Sequence, residues 1–209
     1  MVHLMIKFGS EKNIKSMFDD EYLFFSTQRS FRKQLDDIGR TDPGEGNLAV
    51  HNITSGKLIL PKGEVTLDIV SGQIVEFLEE DHKLLCSLYC PELDSDYQIV
   101  NFDDRMLEFG PCAMVIHDVP GFFALLFDSL KQWGLEYSSR QATYFDSQLF
   151  SGEISVHHKD LSYAYQREQR IMTWLPNAEF LKLPLPGMQN FVRVINSSDV
   201  PHLRISVTS

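Results

Sequence analysis

Residues 157–177, HHKDLSYAYQREQRIMTWLPN, hold the densest set of chemically useful side chains in the chain. Gln166 and Glu168 are two apart, so on an extended segment both point the same way, and Arg167 and Gln169 point the other way. Behind them Arg170-Ile171-Met172-Thr173-Trp174-Leu175 is apolar and β-branched and reads as a strand, stopped by Pro176-Asn177. Glu168 is therefore expected at the mouth of a strand, where a rigid element holds a carboxylate in fixed register.

Working outward, the N-terminal part alternates strand and helix signals. Residues 3–8 read as a strand, and Ser10 as the N-cap of a helix over 11–19 with Ile14, Met17 and Phe18 on one face. Residues 22–27 form a strand too continuously apolar to face water. Residues 28–33 form one or two helical turns, and the Gly- and Asp-rich stretch 36–46 a functional or mobile loop. From residue 47 the turn spacing gives an antiparallel meander of four or five strands, over 48–54, 57–60, 65–70, 73–78 and 83–89. A short helix over 103–109 and a buried strand over 112–116 follow. The clearest helix spans 121–133, started by Asp118-Val119-Pro120 and stopped by Gly134. Strands are expected over 135–145, 180–183, 191–196 and 203–207. The class is α+β, strand-rich, a single domain over 1–209.

Composition narrows the partners. The formal net charge is −10, which argues against a general electrostatic grip on nucleic-acid backbones. The N-terminus lacks the form of a secretory signal, and no apolar window is long enough for a transmembrane helix. Three cysteines cannot all pair within one chain, so a reducing, cytoplasmic setting is expected. Cys86, Cys90, Cys112 and His117 fit zinc-ligand spacing poorly, so no metal is assigned. His157-His158 reads as a surface turn. No Gly-rich nucleotide loop and no Gly-x-Ser-x-Gly elbow appears.

Two resemblances follow from these residues. Lys7-Phe8-Gly9, Arg40-Thr41-Asp42-Pro43-Gly44-Glu45-Gly46, Phe109-Gly110, Val115-Ile116-His117 and Lys159-Asp160…Tyr163-Ala164-Tyr165-Gln166-Arg167-Glu168-Gln169-Arg170-Ile171 resemble a set of uncharacterised bacterial proteins, some from mobile elements. That likeness covers most of the chain and implies a shared fold without an activity. Gln166-Arg167-Glu168 leading into a strand, with Phe25-Ser26-Thr27-Gln28 earlier, resembles NAD-dependent ADP-ribosyltransferases. Two positions depart from that pattern: Lys7 stands where the family has Arg or His, and Gln28 replaces a second Ser.

The second resemblance implies split antiparallel sheets with a few helices, NAD as cofactor, and a bacterial toxin or phage-defence effector. A protein or nucleic acid would be the acceptor, with an antitoxin or regulatory protein as partner. Glu168 would stabilise the positive charge that develops on ribose as the nicotinamide bond breaks. Gln166 would orient the acceptor. Ser26, Thr27, Lys7 and Arg40 would contact the cofactor, and Tyr163 or Tyr165 would stack on nicotinamide. Simpler readings stand beside these. Glu168 pairs with Arg170 or Arg40, Arg40, Asp42 and Glu45 form a loop clasp, Lys7 is a solvated edge residue, and the tyrosines belong to the core or rim. A non-catalytic binding module on the same scaffold, or an NAD glycohydrolase, is the functional alternative.

Overall fold

The computed structural model describes residues 4–33, 42–59, 66–77 and 82–205. In chain order the strands and helices are β1 (Met5–Gly9), α1 (Glu11–Asp19), β2 (Tyr22–Thr27), α2 (Gln28–Lys33), β3 (Asn47–Ile53), β4 (Gly56–Ile59), β5 (Thr66–Ile69), β6 (Gly72–Phe77) and β7 (Lys83–Tyr89). Then come β8 (Glu92–Leu93), β9 (Ile99–Val100), β10 (Cys112–Ile116), α3 (Val119–Gln132), β11 (Tyr137–Gln141), β12 (Thr143–Phe145), β13 (Gly152–Glu153), β14 (His158–Asp160), β15 (Glu168–Trp174), β16 (Phe180–Pro184) and β17 (Val192–Asn196). Short 3₁₀ helices cover Asp104–Phe109 and Leu161–Gln166. The domain is α+β and strand-rich, as the sequence leads one to expect.

The main sheet runs β11-β15-β7-β1-β10-β17 and is antiparallel throughout. It forks at β7. One edge of β7 pairs along its whole length with β15, from Glu168 opposite Tyr89 to Trp174 opposite Lys83. The other edge is shared. Leu84 and Leu85 pair with β2, Tyr89 pairs with Ile6 of β1, and β16 extends the sheet beyond β2. Between those contacts lies Ser87, whose carbonyl accepts a hydrogen bond from the Lys7 ammonium at 3.1 Å. Lys7 thus satisfies a strand-edge carbonyl where no neighbouring strand reaches it.

Side-chain alternation divides the core between the two faces of the sheet. Cys86 and Leu88, Met114 and Ile116 pack on one face against Ile14 and Met17 of α1 and Phe122, Leu126 and Leu130 of α3. Ile6 and Phe8, Ala113 and Val115 face the other way, with Tyr89, Met106 and Val200. Each such side chain contributes about 1.5–3 kcal/mol by leaving water. α1 starts at Ser10, whose hydroxyl accepts from the Asn13 amide, and α3 starts at Asp118, whose carboxylate accepts from the Gly121 amide at 3.0 Å. Gly134 ends α3 at φ +66, a conformation that suits glycine.

Three expectations change. Residues 47–77 do not form a meander. β3 pairs with β6 and β4 with β5, giving one nested ribbon to which β13 adds a third strand beside β3, and β7 leaves it for the central sheet. No strand forms over 203–205, where Arg204 makes one isolated bridge to Gln98; residues 206–207 lie outside the described residues. His157 is buried rather than in a surface turn, with Nε2 at 2.8 Å from Ser138 Oγ. Burial, then Arg140 and Arg170, lower its pKa to about 4.

Candidate functional site

The fork in the sheet opens a cavity of about 410 Å³. Lys7 of β1, Ser26 of β2, Ser87 of β7, and Gln166 and Glu168 at the entry to β15 all line it. Residues 7, 26 and 168 are far apart in sequence, and the fold brings them to one place. Lys12 and Ser16 of α1 enter from one side, and Glu45, Lys159 and Arg170 from the other. Phe8, Tyr22, Phe24, Tyr89 and Phe109 supply aromatic wall. An apolar wall with a few convergent polar groups is the usual composition of a small-molecule site.

The polar floor is a buried ion network. Glu168 is 7% exposed. Its Oε1 accepts from Lys159 Nζ at 2.6 Å, and its Oε2 from Arg170 Nε at 2.7 Å and Ser87 Oγ at 2.9 Å. The guanidinium nitrogens of Arg170 reach past it to both carboxylate oxygens of Glu45, at 2.8 and 3.1 Å, and to the Val156 carbonyl at 2.6 Å. Gln28 donates to Glu45 at 2.8 Å. The pairing follows from register: Glu168 and Arg170 are two apart on β15 and share a face with Ser87, which sits opposite Arg170. Burial alone would raise the Glu168 pKa. Lys159 and Arg170 outweigh it and hold the carboxyl well below the usual range. Burial likewise works to lower the Arg170 pKa, but Glu168 and Glu45 prevail and raise it.

The turn before Glu168 is built differently from the extended strand the sequence suggests. Gln166 ends a 3₁₀ turn and Arg167 takes a left-handed conformation, φ 41. Both flanking side chains still reach the same ammonium, since Lys159 Nζ also donates to Gln166 Oε1 at 2.5 Å. Arg167 turns away to Glu92, at 2.6 Å. It lines a second cavity of about 620 Å³ with Glu92, Asp94 and Tyr144, and Glu168 borders both cavities.

The remaining candidates are scattered. Ser26 lies in the cavity with its hydroxyl 2.5 Å from that of Ser30, whereas Thr27 is buried outside the lining and accepts from the Ser30 amide at 3.4 Å. Tyr163 lies under the Lys159 ammonium, 4.9 Å from the ring centre. Tyr165 stacks on Arg105 at 3.7 Å, and its hydroxyl oxygen accepts from Gln166 at 3.1 Å. Neither tyrosine lines the cavity. Arg40 lies outside the described residues. The sequence reading missed Lys159, Ser87, Lys12 and Lys182 as site residues. Of these only Lys159 carried a signal, as part of Lys159-Asp160 in the first resemblance.

The electrostatics of the lining differ from those of the whole chain. Five cations, Lys7, Lys12, Lys159, Arg170 and Lys182, face two carboxylates, Glu45 and Glu168. Lys159 and Arg170 are spent on those carboxylates. Lys7, Lys12 and Lys182 are left as the positive surplus, in a chain of net charge −10. Asp42, beside this floor, is buried; burial and then Glu45 raise its pKa to about 6. Among the described residues no group of His, Cys, Asp and Glu could hold a metal, and no helix is long and apolar enough to cross a membrane. No protein-family model, no curated protein and no solved structure matches the chain.

Proposed function

We propose that the fork cavity binds an anionic nucleotide, with NAD as the ligand, and that the chain is an ADP-ribosyltransferase. The carrying observation is the three-lysine surplus in the lining of a cavity that also holds Ser26, Gln166 and Glu168. Lysines suit a pyrophosphate as point charges, and the aromatic wall suits a base or nicotinamide ring. In this reading nicotinamide leaves with the bonding electrons, and an acceptor oxygen or nitrogen bonds to the ribose carbon and gives up its proton. Glu168 faces the ribose. A carboxylate has about four acceptor positions, of which three are used by Lys159, Arg170 and Ser87, so one remains for a ribose hydroxyl. The acceptor, a protein or nucleic acid, would approach from the Arg167 side, where the second cavity meets Glu168.

One observation favours a second reading, a binding module without turnover. Two cations already neutralise Glu168, which weakens its hold on a developing ribosyl cation. Calorimetry with NAD tests the shared claim, and nicotinamide release separates the two readings. Transfer of labelled ADP-ribose to a macromolecule, rather than to water, then separates a transferase from a glycohydrolase. A chain that binds NAD but releases no nicotinamide with any candidate acceptor present is a binding module.

A further inference from the structure

We propose, on the reading of the fork cavity as an NAD site, that the Tyr89 hydroxyl is one of its ligand-binding groups and donates a hydrogen bond to the carboxamide oxygen of nicotinamide. Tyr89 ends β7 and lines the cavity. It is 3% exposed, and its hydroxyl oxygen, shut off from water, has no hydrogen-bond partner among the described residues. Buried polar groups are nearly always paired, and leaving one unpaired costs stability. The rest of the floor keeps to that rule: Ser87, Lys159, Gln166, Glu168 and Arg170 are all hydrogen-bonded. The other such orphan among the described residues, His157 Nδ1, belongs to a residue outside the lining.

Register sets this side chain beside the candidate carboxylate. Tyr89 is directly opposite Glu168 across the β7–β15 pair, and Ser87, two residues earlier, is opposite Arg170. Residues opposite each other in an antiparallel pair share a face, so Tyr89 continues the row that carries Ser87, Glu168 and Arg170. Its ring is held edge-on by Phe8, with 5.9 Å between centres, and by Phe102, with 6.0 Å. Ile6, Phe8, Met106 and Phe109 line the cavity with apolar side chains. A nicotinamide ring fits such a wall, next to a ribose on Glu168. Its carboxamide then needs a polar partner within an apolar stretch. Burial, the largest influence, raises the Tyr89 pKa to about 12, so the hydroxyl keeps its proton and donates. A carbonyl oxygen is the acceptor that matches it.

Calorimetry of the full chain with NAD and with ADP-ribose, which lacks nicotinamide, tests the proposal on wild type and Tyr89→Phe, with thermal melting beside it. The substitution removes one oxygen and keeps the ring contacts. NAD binding is expected to weaken at least about fivefold in Tyr89→Phe, the worth of one hydrogen bond. ADP-ribose binding should be equal in the two proteins. The variant should melt no lower than wild type, since no bond within the fold is lost. Equal NAD affinity in the two proteins, an equal weakening toward ADP-ribose, or a variant that melts earlier would overturn the proposal and leave the NAD site standing. A wild type that binds neither ligand would overturn both.

Discussion

At Glu168 a buried carboxylate is in direct contact with an ammonium, a guanidinium and a hydroxyl, which changes what a substitution there can report. Glu168→Gln removes the charge that Lys159 and Arg170 both use. Leaving buried cations short of a partner costs on the order of 3–5 kcal/mol, so early melting is expected together with any loss of activity. Lys7→Gln is the cleaner probe. Lys7 belongs to no ion pair among the described residues and holds one carbonyl. The expected outcome is little change in melting, weaker NAD binding by calorimetry, and a smaller dependence of that binding on salt. Asp42 gives a prediction with a definite sign. Its folded pKa, about 6, lies above the ordinary value of 3.8, so the folded chain holds a proton that the unfolded chain has lost between those values. Its contribution therefore favours folding at low pH and is lost as pH rises through about 6. Asp42→Asn should raise stability at pH 8 by roughly 1–3 kcal/mol and flatten the pH dependence of urea melts between about pH 4 and 7. Glu168 has the opposite sign. Its depressed pKa stabilises the fold above the ordinary carboxylate range, and that is lost in strong acid. The Glu168–Arg170 pair was legible from spacing alone, because two residues apart on a strand share a face. Lys159 as the second partner was not, since it arrives on a different strand.

The elements position these residues through local backbone chemistry. The 166–168 turn depends on Arg167 in a left-handed conformation, which costs a non-glycine residue about 1–2 kcal/mol. The packing on both sides, through Gln166, Glu168 and the Glu92 pair, holds it there. Gly110 fixes another junction. At φ +133 it passes so close to the Gly9 carbonyl that a Cβ would run into it. Gly110→Ala is therefore expected to displace the end of β1, lowering the melting temperature and shifting Lys7 away from Ser87. Amide-proton chemical shifts of β1 and Ser87 in the variant check this, and an unperturbed β1 would count against it. The helices α1 and α3 were legible because caps, spacing and stop residues agree. The ribbon over 47–77 was harder. Turn residues mark where a chain reverses but not which strand it returns to, so a nested ribbon and a meander share one turn spacing. The fork at β7 had no signal at all in the turn pattern, because it arises from two distant strands sharing one edge.

For the whole molecule the informative contrast is between a strongly acidic chain and a cavity with a cationic surplus. Net charge argues against a general grip on nucleic-acid backbones but says nothing about a single cleft, and Lys12 and Lys182 reach that cleft because α1 and β16 flank β2. Composition could not place them. The fork, the three lysines and the aromatic wall are what support the proposal of an anionic nucleotide as ligand, in which Glu168 would contact the ribose. The most direct measurement is calorimetric titration of the full chain with NAD, run beside Lys7→Gln and repeated at higher salt. One saturable site is expected for wild type, with affinity falling as salt rises and at least about fivefold weaker in Lys7→Gln. No binding heat from NAD at millimolar concentration, or equal affinity in the two proteins at every salt, would contradict it.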